Sequence, residues 1–239
     1  MHFLLTNDDG ILAPGLAAMA EAVSLIPGAS YTIVAPSQER SQCGHSLTTH
    51  SPLTVVQEAE HRYHTSGTPA DCVRVALFAL DIRPDWVLSG VNAGGNMGQD
   101  IHISGTLAGA REAAYHGIPA MGVSHYLISG IATDWSRVSR WTAALLKEWT
   151  VRPLGDGAYW NVNLPHLPPG DGDMPPRVET APCRLPLNVA YEDIIASGTD
   201  PHPHRMLRYT ARYAERPVEP GSDVEACFGG RISVSRLRV

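Results

Sequence analysis

The sequence predicts an α/β chain: a mostly parallel sheet flanked by helices, ending in an antiparallel β extension. Three observations carry that expectation. Strand and helix signals alternate through the first 164 residues, as βαβ units require. Between Pro165 and Pro176 the composition turns to proline, glycine and aspartate, which marks a connector. Beyond it the apolar period falls to two, with Leu207, Tyr209, Ala211 and Tyr213 alternating with Arg208, Thr210 and Arg212. The chain therefore divides into a core, 1–164, and a connector with a β-rich extension, 165–239. Its 239 residues suffice for one buried core and an appendage.

Phe3-Leu4-Leu5 reads as the first strand and breaks off at Thr6-Asn7-Asp8-Asp9-Gly10. Pro14 opens a helix with Leu16, Ala20, Val23 and Ile26 on one stripe. Tyr31–Ala35 is the second strand, ended by Pro36 and followed by the polar loop Ser37–Ser46. Leu53–Val56 and Arg62–Thr65 are short strands, and Pro69 starts a helix that buries Val73, Leu77 and Leu80. Strand Asp85–Leu88 runs into Ser89–Asp100, whose four glycines and two asparagines let backbone approach a ligand closely. Ser104-Gly105-Thr106 opens a helix that stops at Gly117. Ala120–Ser124, Trp135–Trp149 and Tyr159–Leu164 read as strand, helix and strand. In the extension, His202-Pro203-His204 reads as a polar loop, and Asp223–Cys227 with Arg231–Arg236 around Phe228-Gly229-Gly230 as a hairpin.

Composition removes several function classes. A formal net charge of −6 argues against binding nucleic acid polymers or an anionic membrane. No apolar run approaches the roughly 20 residues of a membrane span. Asp8 and Asp9 interrupt the only candidate signal peptide, so a cytoplasmic location is expected. Cys43, Cys72, Cys183 and Cys227 form no C-x-x-C pair and read as reduced thiols. Lys147 is the only lysine and sits in a helical pattern, which leaves no P-loop and no candidate for Schiff-base chemistry. His61 and His64, three apart on a strand, point to opposite faces and are poor co-ligands.

The chemistry-bearing residues converge when placed on such a sheet. Asp8 and Asp9 follow the first strand, Ser41 the second and Asn92 a later one, so all face the carboxyl edge where ligands bind. Adjacent carboxylates repel unless a cation neutralises them. Two carboxylates, a hydroxyl and an amide oxygen suit Mg²⁺ or Mn²⁺, with water completing the shell, and do not suit zinc. The helix start at Ser104 presents free N–H groups and the positive end of the dipole, a seat for phosphate. Read singly, each has a plainer account: Asp8 and Asp9 a capping turn, Ser41 a surface loop, Ser104 an ordinary N-cap. Taken together they describe hydrolysis of a phosphate ester by metal-activated water.

These stretches also resemble a known family. Leu5–Gly10, Ala13-Pro14-Gly15, Val34-Ala35-Pro36 with Arg40-Ser41, Gly67–Val73, and Ser89–Gly94 through Asn96 and Gly98 to Ser104-Gly105-Thr106 are similar to the SurE survival-protein family of 5′-nucleotidases. The likeness runs nearly unbroken over about the first 125 residues; Asn161–Pro165 and Gly221–Val234 carry it more weakly. It implies a Rossmann-like core and a metal-dependent phosphatase acting on nucleoside 5′-monophosphates, with 3′-monophosphates and short polyphosphate as further candidates. It implies one divalent cation per subunit on Asp8, Asp9, Ser41 and Asn92, and phosphate held by Asn96, Ser104, Gly105 and Thr106. Asp8 and Asp9 are then the catalytic pair, and the C-terminal extension joins a homodimer or homotetramer. The segment from Cys183 to Pro220 departs from the pattern.

Two rival readings fit the sequence less well. A haloacid-dehalogenase-type phosphatase needs a second aspartate two residues after the first, where this chain has Gly10 or Ile11, and a phosphate-binding lysine. A non-catalytic nucleotide-binding module could use the same glycine loop, but gives no reason for paired carboxylates beside an anion seat.

Overall fold

The structure, a computed structural model, describes residues 1–170, 172–194 and 205–239. His202-Pro203-His204 lies outside them. One nine-stranded sheet organises the chain. It holds β1 (His2–Thr6), β2 (Ser30–Pro36), β3 (Val55–Ala59), β4 (Arg62–Thr65), β5 (Trp86–Ala93), β6 (Ala120–His125), β7 (Ala158–Leu164), β8 (Arg177–Glu179) and β11 (Ile232–Arg238). Their order is β3-β4-β2-β1-β5-β6-β7-β11-β8. From β4 to β7 every neighbouring pair is parallel, which requires crossovers and matches the alternating strand and helix signals. A separate antiparallel pair, β9 (Tyr191–Ile194) with β10 (Met206–Tyr209), forms in the extension.

Both faces of the sheet are covered, and strand alternation decides which side chain goes where. Phe3, Leu5 and Ile33 pack with Leu16, Met19, Val138, Leu145 and Trp149, from α1 (Pro14–Ser24) and α5 (Trp135–Trp149). Leu4, Val34 and Val87 face the other way, onto Cys72 and Val73 of α2 (Pro69–Arg74) and Leu107, Ala110 and Ala113 of α4 (Gly105–Tyr115). A short α3 (Asp100–Ile103) precedes α4. Burial on both faces explains why the parallel strands read as continuous apolar runs.

The helix starts obey local rules. Thr68 and Asp71 form a reciprocal capping box at α2: the Thr68 hydroxyl accepts from Asp71 N (3.2 Å) and the Asp71 carboxylate from Thr68 N (3.0 Å). Asp134 caps α5 by accepting from Arg137 N at 2.9 Å.

The structure corrects the chain's end. Asp223–Phe228 is a helix, α6, not a hairpin strand. The Ser222 hydroxyl caps it by accepting from Glu225 N at 3.3 Å, and Asp223 and Glu225 lie in its first turn, where carboxylates favour a helix. The last strand, β11, pairs antiparallel with β7 and parallel with β8, so it returns to the main sheet. The period-two stretch 207–213 is strand only to Tyr209; Tyr213–Glu215 is a turn of 3₁₀ helix. Ser89–Ala93, read from sequence as loop, lengthens β5. Among the described residues no helix is long and apolar enough to cross a membrane.

Candidate metal and phosphate site

The sheet order reverses at β1. The chain leaves β1 through α1 to β2 on one side, and later crosses through α2 to β5 on the other. Such a switch point opens a crevice beyond the carboxyl ends of the two flanking strands. Asp8 and Asp9 leave β1 there, Asn92 ends β5, and Ser41 lies in the loop after β2. Together with Asn96 and Ser104 they line one cavity of ≈ 770 Å³. The four residues expected as metal ligands thus reach one space, from segments up to 84 positions apart in sequence.

Each carboxylate is fixed by a bond that crosses the site. The Thr106 hydroxyl donates to Asp8 Oδ1. Ala93 N donates to Asp9 Oδ2 at 3.1 Å, tying the β1 turn to the end of β5. The turn itself is held by Asn7 Nδ2, which donates to the Gly10 carbonyl at 2.9 Å, and by Arg40 N, which donates to the Asp8 carbonyl at 2.7 Å. Asn92 Nδ2 donates to the Gly94 carbonyl at 2.9 Å, leaving the amide oxygen for the cavity. The Ser41 hydroxyl donates to Glu39 at 2.5 Å, at the rim.

The electrostatics are those of a site built for a cation. Burial raises the Asp8 carboxyl to about 6 against the opposing Thr106 bond, and the charge of Asp9 pushes the same way. Asp9 is raised as well, first by burial, with Glu39 adding to it. No cationic side chain contributes to either shift. A hard divalent ion would supply the missing positive charge. Among the described residues no three His, Cys, Asp or Glu side chains are grouped to hold a metal. Asp8, Asp9, Ser41 and Asn92, the candidate donors, offer two carboxylates and two neutral oxygens, a set of the kind hard divalent ions prefer. Cys43, beside Asp8, offers no thiolate: burial and the Asp8 charge push its thiol up to about 11.

The expected phosphate residues divide in two. Asn96 and Ser104 line the cavity, whereas Gly105 and Thr106 lie against Asp8 and do not. Ser104 caps α4 by accepting from Leu107 N at 3.0 Å, and the Thr106 hydroxyl is engaged by Asp8. Gly105 permits this close approach. A Cβ there would sit 2.9 Å from the Asp8 Cβ and Oδ2 and 2.8 Å from the Cys43 sulfur. Gly105→Ala must therefore displace the Asp8 carboxylate. It should lower kcat/KM about 100-fold in a steady-state phosphatase assay while circular dichroism stays unchanged; normal turnover would refute the packing argument.

Another part of the wall comes from the divergent segment Cys183–Pro220, whose residues the sequence did not single out one by one as site residues. Leu187, Asn188, Tyr209, Arg212, Tyr213 and Arg216 line the cavity across from the carboxylates, beside Asp100 of the glycine loop. The Tyr213 hydroxyl donates to Asp100 at 2.9 Å, and the Arg216 guanidinium donates to Asp100 at 2.5 Å and to the Met97 carbonyl at 3.0 Å. This pair is almost wholly buried, so Asp100 brings no net charge to the cavity. The only hint in sequence was an acidic residue closing the glycine loop; nothing local pointed 116 residues on to Arg216.

Comparison with known proteins agrees with this architecture. A family model described as Survival protein SurE matches residues 3–179. A protein of Nostoc sp. (strain PCC 7120) is 44 % identical over 239 residues, spanning 100 % of both chains. The 5′-nucleotidase SurE of Geobacter sulfurreducens is 39 % identical over 243 residues, covering 100 % of this chain and 88 % of that one. The crystal structure of the SurE protein from Aquifex aeolicus superposes with a TM-score of 0.84 at 30 % identity, over 100 % of this chain and 93 % of the other.

Proposed function

The chain belongs to the SurE family, and from that membership we propose that it is a 5′-nucleotidase, a divalent-metal-dependent phosphomonoester hydrolase that releases phosphate from nucleoside 5′-monophosphates. The observation that carries the proposal is the pair of carboxylates with no cation of their own, sharing one cavity with the start of a helix. A binding module would not place that repulsion where a phosphate dianion must enter.

In this reading Asp8, Asp9, Ser41 and Asn92 hold one Mg²⁺ or Mn²⁺. When bound, the ion supplies a Lewis acid for the phosphoryl oxygens and a more acidic water. The remaining work falls to the chain. Asp9, less buried than Asp8, orients the attacking water and accepts its proton. Ser104 brings the positive N-terminal end of α4 to the cavity, where it favours an anion, while Gly105 and Thr106 fix Asp8 beside it. Asn96 completes the seat. Its Nδ2 donates to the Ser124 hydroxyl at 2.7 Å, and that hydroxyl can equally donate to the amide oxygen. The second arrangement turns the NH₂ group into the cavity, and a phosphate oxygen selects it.

Assembly through the extension is part of the proposal. Leu207 and Tyr209 of β10 and Tyr191 of β9 stand exposed on one face of the strand pair, a surface that a second copy would cover. Sizing chromatography with light scattering should give a dimer or tetramer; a monomer would remove this element.

The test of the activity is phosphate release from 5′- and 3′-nucleoside monophosphates, short polyphosphate and an aryl phosphate, with Mg²⁺ or Mn²⁺ present. Turnover of the 5′-esters is expected, and the panel reads out whether the 3′-esters and polyphosphate are also cleaved. Nucleotide binding without turnover of any ester would favour the non-catalytic module instead.

A further inference from the structure

We infer that Asn163 is the positioning residue of the phosphate seat, holding Asn96 in place by pairing with both polar groups of its backbone. The inference rests on the reading of Asn96 as a phosphate contact. Asn161 and Asn163 lie two apart on β7, so they share one face of a strand whose other residues are Ala158, Tyr159, Trp160, Val162 and Leu164. Both are fully buried, and a buried amide costs several kcal/mol unless its hydrogen bonds are made (about 2–7). Here every one of those bonds goes to the glycine loop or to the pair itself. Asn96 N donates to Asn163 Oδ1 at 2.8 Å, and Asn163 Nδ2 returns a bond to the Asn96 carbonyl at 3.1 Å. Asn161 Nδ2 donates to the same carbonyl at 2.9 Å, and Asn163 Nδ2 also lies 3.4 Å from Asn161 Oδ1.

The Asn163 amide thus stands where a neighbouring strand would be, one acceptor and one donor matched to one residue 67 positions earlier. The loop from Gly94 to Gly98 has glycines on both sides of Asn96, and Gly94 and Gly98 adopt φ of +158° and +56°. Such a backbone has little preference of its own, so its partners set it: the amide pair at Asn96, Asn92 at Gly94, Arg216 at Met97 and Asp223 at Gly98. With the backbone pinned, the only partner of the Asn96 side chain among the described residues is Ser124, from the end of β6, and the amide is held at the cavity wall. No residue of this network lies among Asp8, Asp9, Ser41 or Asn92. The prediction that follows is selective: phosphate affinity depends on Asn163 and metal affinity does not.

The decisive variant is Asn163→Asp, which keeps an acceptor for Asn96 N but sets a second oxygen against the Asn96 carbonyl. Three quantities are measured on folded protein: kcat/KM, the inhibition constant of inorganic phosphate, and the Kd of Mn²⁺ by calorimetry. We expect kcat/KM to fall and phosphate inhibition to weaken, each by about 10- to 100-fold, with the Mn²⁺ Kd within twofold of the parent. Unchanged phosphate inhibition and kcat/KM in folded Asn163→Asp would overturn the inference, because a purely structural residue lowers stability alone. Asn163→Ser serves if the aspartate variant fails to fold, with the same reading of each outcome. Asn96→Ala is run beside them. If it leaves phosphate inhibition intact, the phosphate-seat reading fails and takes the inference with it. If it weakens inhibition while the Asn163 variants do not, only the positioning role fails.

Discussion

Replacing Asp8 by asparagine is expected to lower phosphate release about 1,000-fold, and at the same time to make the metal-free protein more stable at neutral pH. The first effect follows from removing one of two charged oxygens from a site whose rate enhancement rests on preorganised charge. The second follows from the electrostatics of the empty-handed carboxylate. Burial raises Asp8 from 3.8 to about 6. Above pH 6 the group is ionised in both folded and unfolded chains, and the fold bears the full cost of holding that charge. Below 3.8 it is protonated in both, and the cost is gone. A shift of about two units corresponds to about 3 kcal/mol, an upper figure for what asparagine would recover. Asparagine keeps an acceptor for the Thr106 hydroxyl, so that bond survives. Urea unfolding in EDTA at pH 7.5 and at pH 4 checks the sign. A gain at the higher pH that shrinks to a small fraction at the lower one is expected; a loss at pH 7.5 would show that Asp8 is stabilising without metal.

Removing the metal is the second large effect. Chelation should abolish turnover, and Mg²⁺ or Mn²⁺ should restore it. A readout independent of catalysis accompanies this. A ligand that binds only the folded state stabilises it by about 2.7 kcal/mol at 100 times its Kd. Mn²⁺ should therefore raise the unfolding midpoint of the parent chain and leave that of the Asp8→Asn and Asp9→Asn variants nearly still. Recovery with Zn²⁺ alone would contradict the oxygen-donor reading, and a midpoint that rises equally in all three proteins would move the ion elsewhere.

Much of the site was legible because its residues announce themselves locally. An apolar run broken by Asp8 and Asp9 needs only strand and turn rules, and a parallel sheet then carries Ser41 and Asn92 to the same edge. What stayed hidden is fixed by long-range pairing. Tyr213 continues the alternation of a strand, yet its hydroxyl is bound 113 residues back at Asp100, and the chain turns away after Tyr209 to reach it. Ser222, Asp223 and Glu225 carried a helix-start signature, but six residues between a Gly-rich turn and a strand match hairpin spacing as well. Arg231–Arg236 was readable as a strand; its place beside β7 depends on the whole sheet. Asn161 and Asn163 were visible as residues, and only their burial against Asn96 reveals what they hold.

β11 closes the sheet from the far end of the described chain, between β7 and β8. Until residues 232–238 have left the ribosome, β7 is an open edge whose ladder to β11 is missing. The glycine loop meanwhile lacks Asp223, which accepts from Gly98 N at 2.8 Å, and Arg216, which holds the Met97 carbonyl. A chain that has emerged only as far as β7 therefore lacks one side of its sheet and part of its cavity wall. A chain lacking residues 232–238 would keep β7 paired to β6 alone, with its other edge open to aggregation or proteolysis.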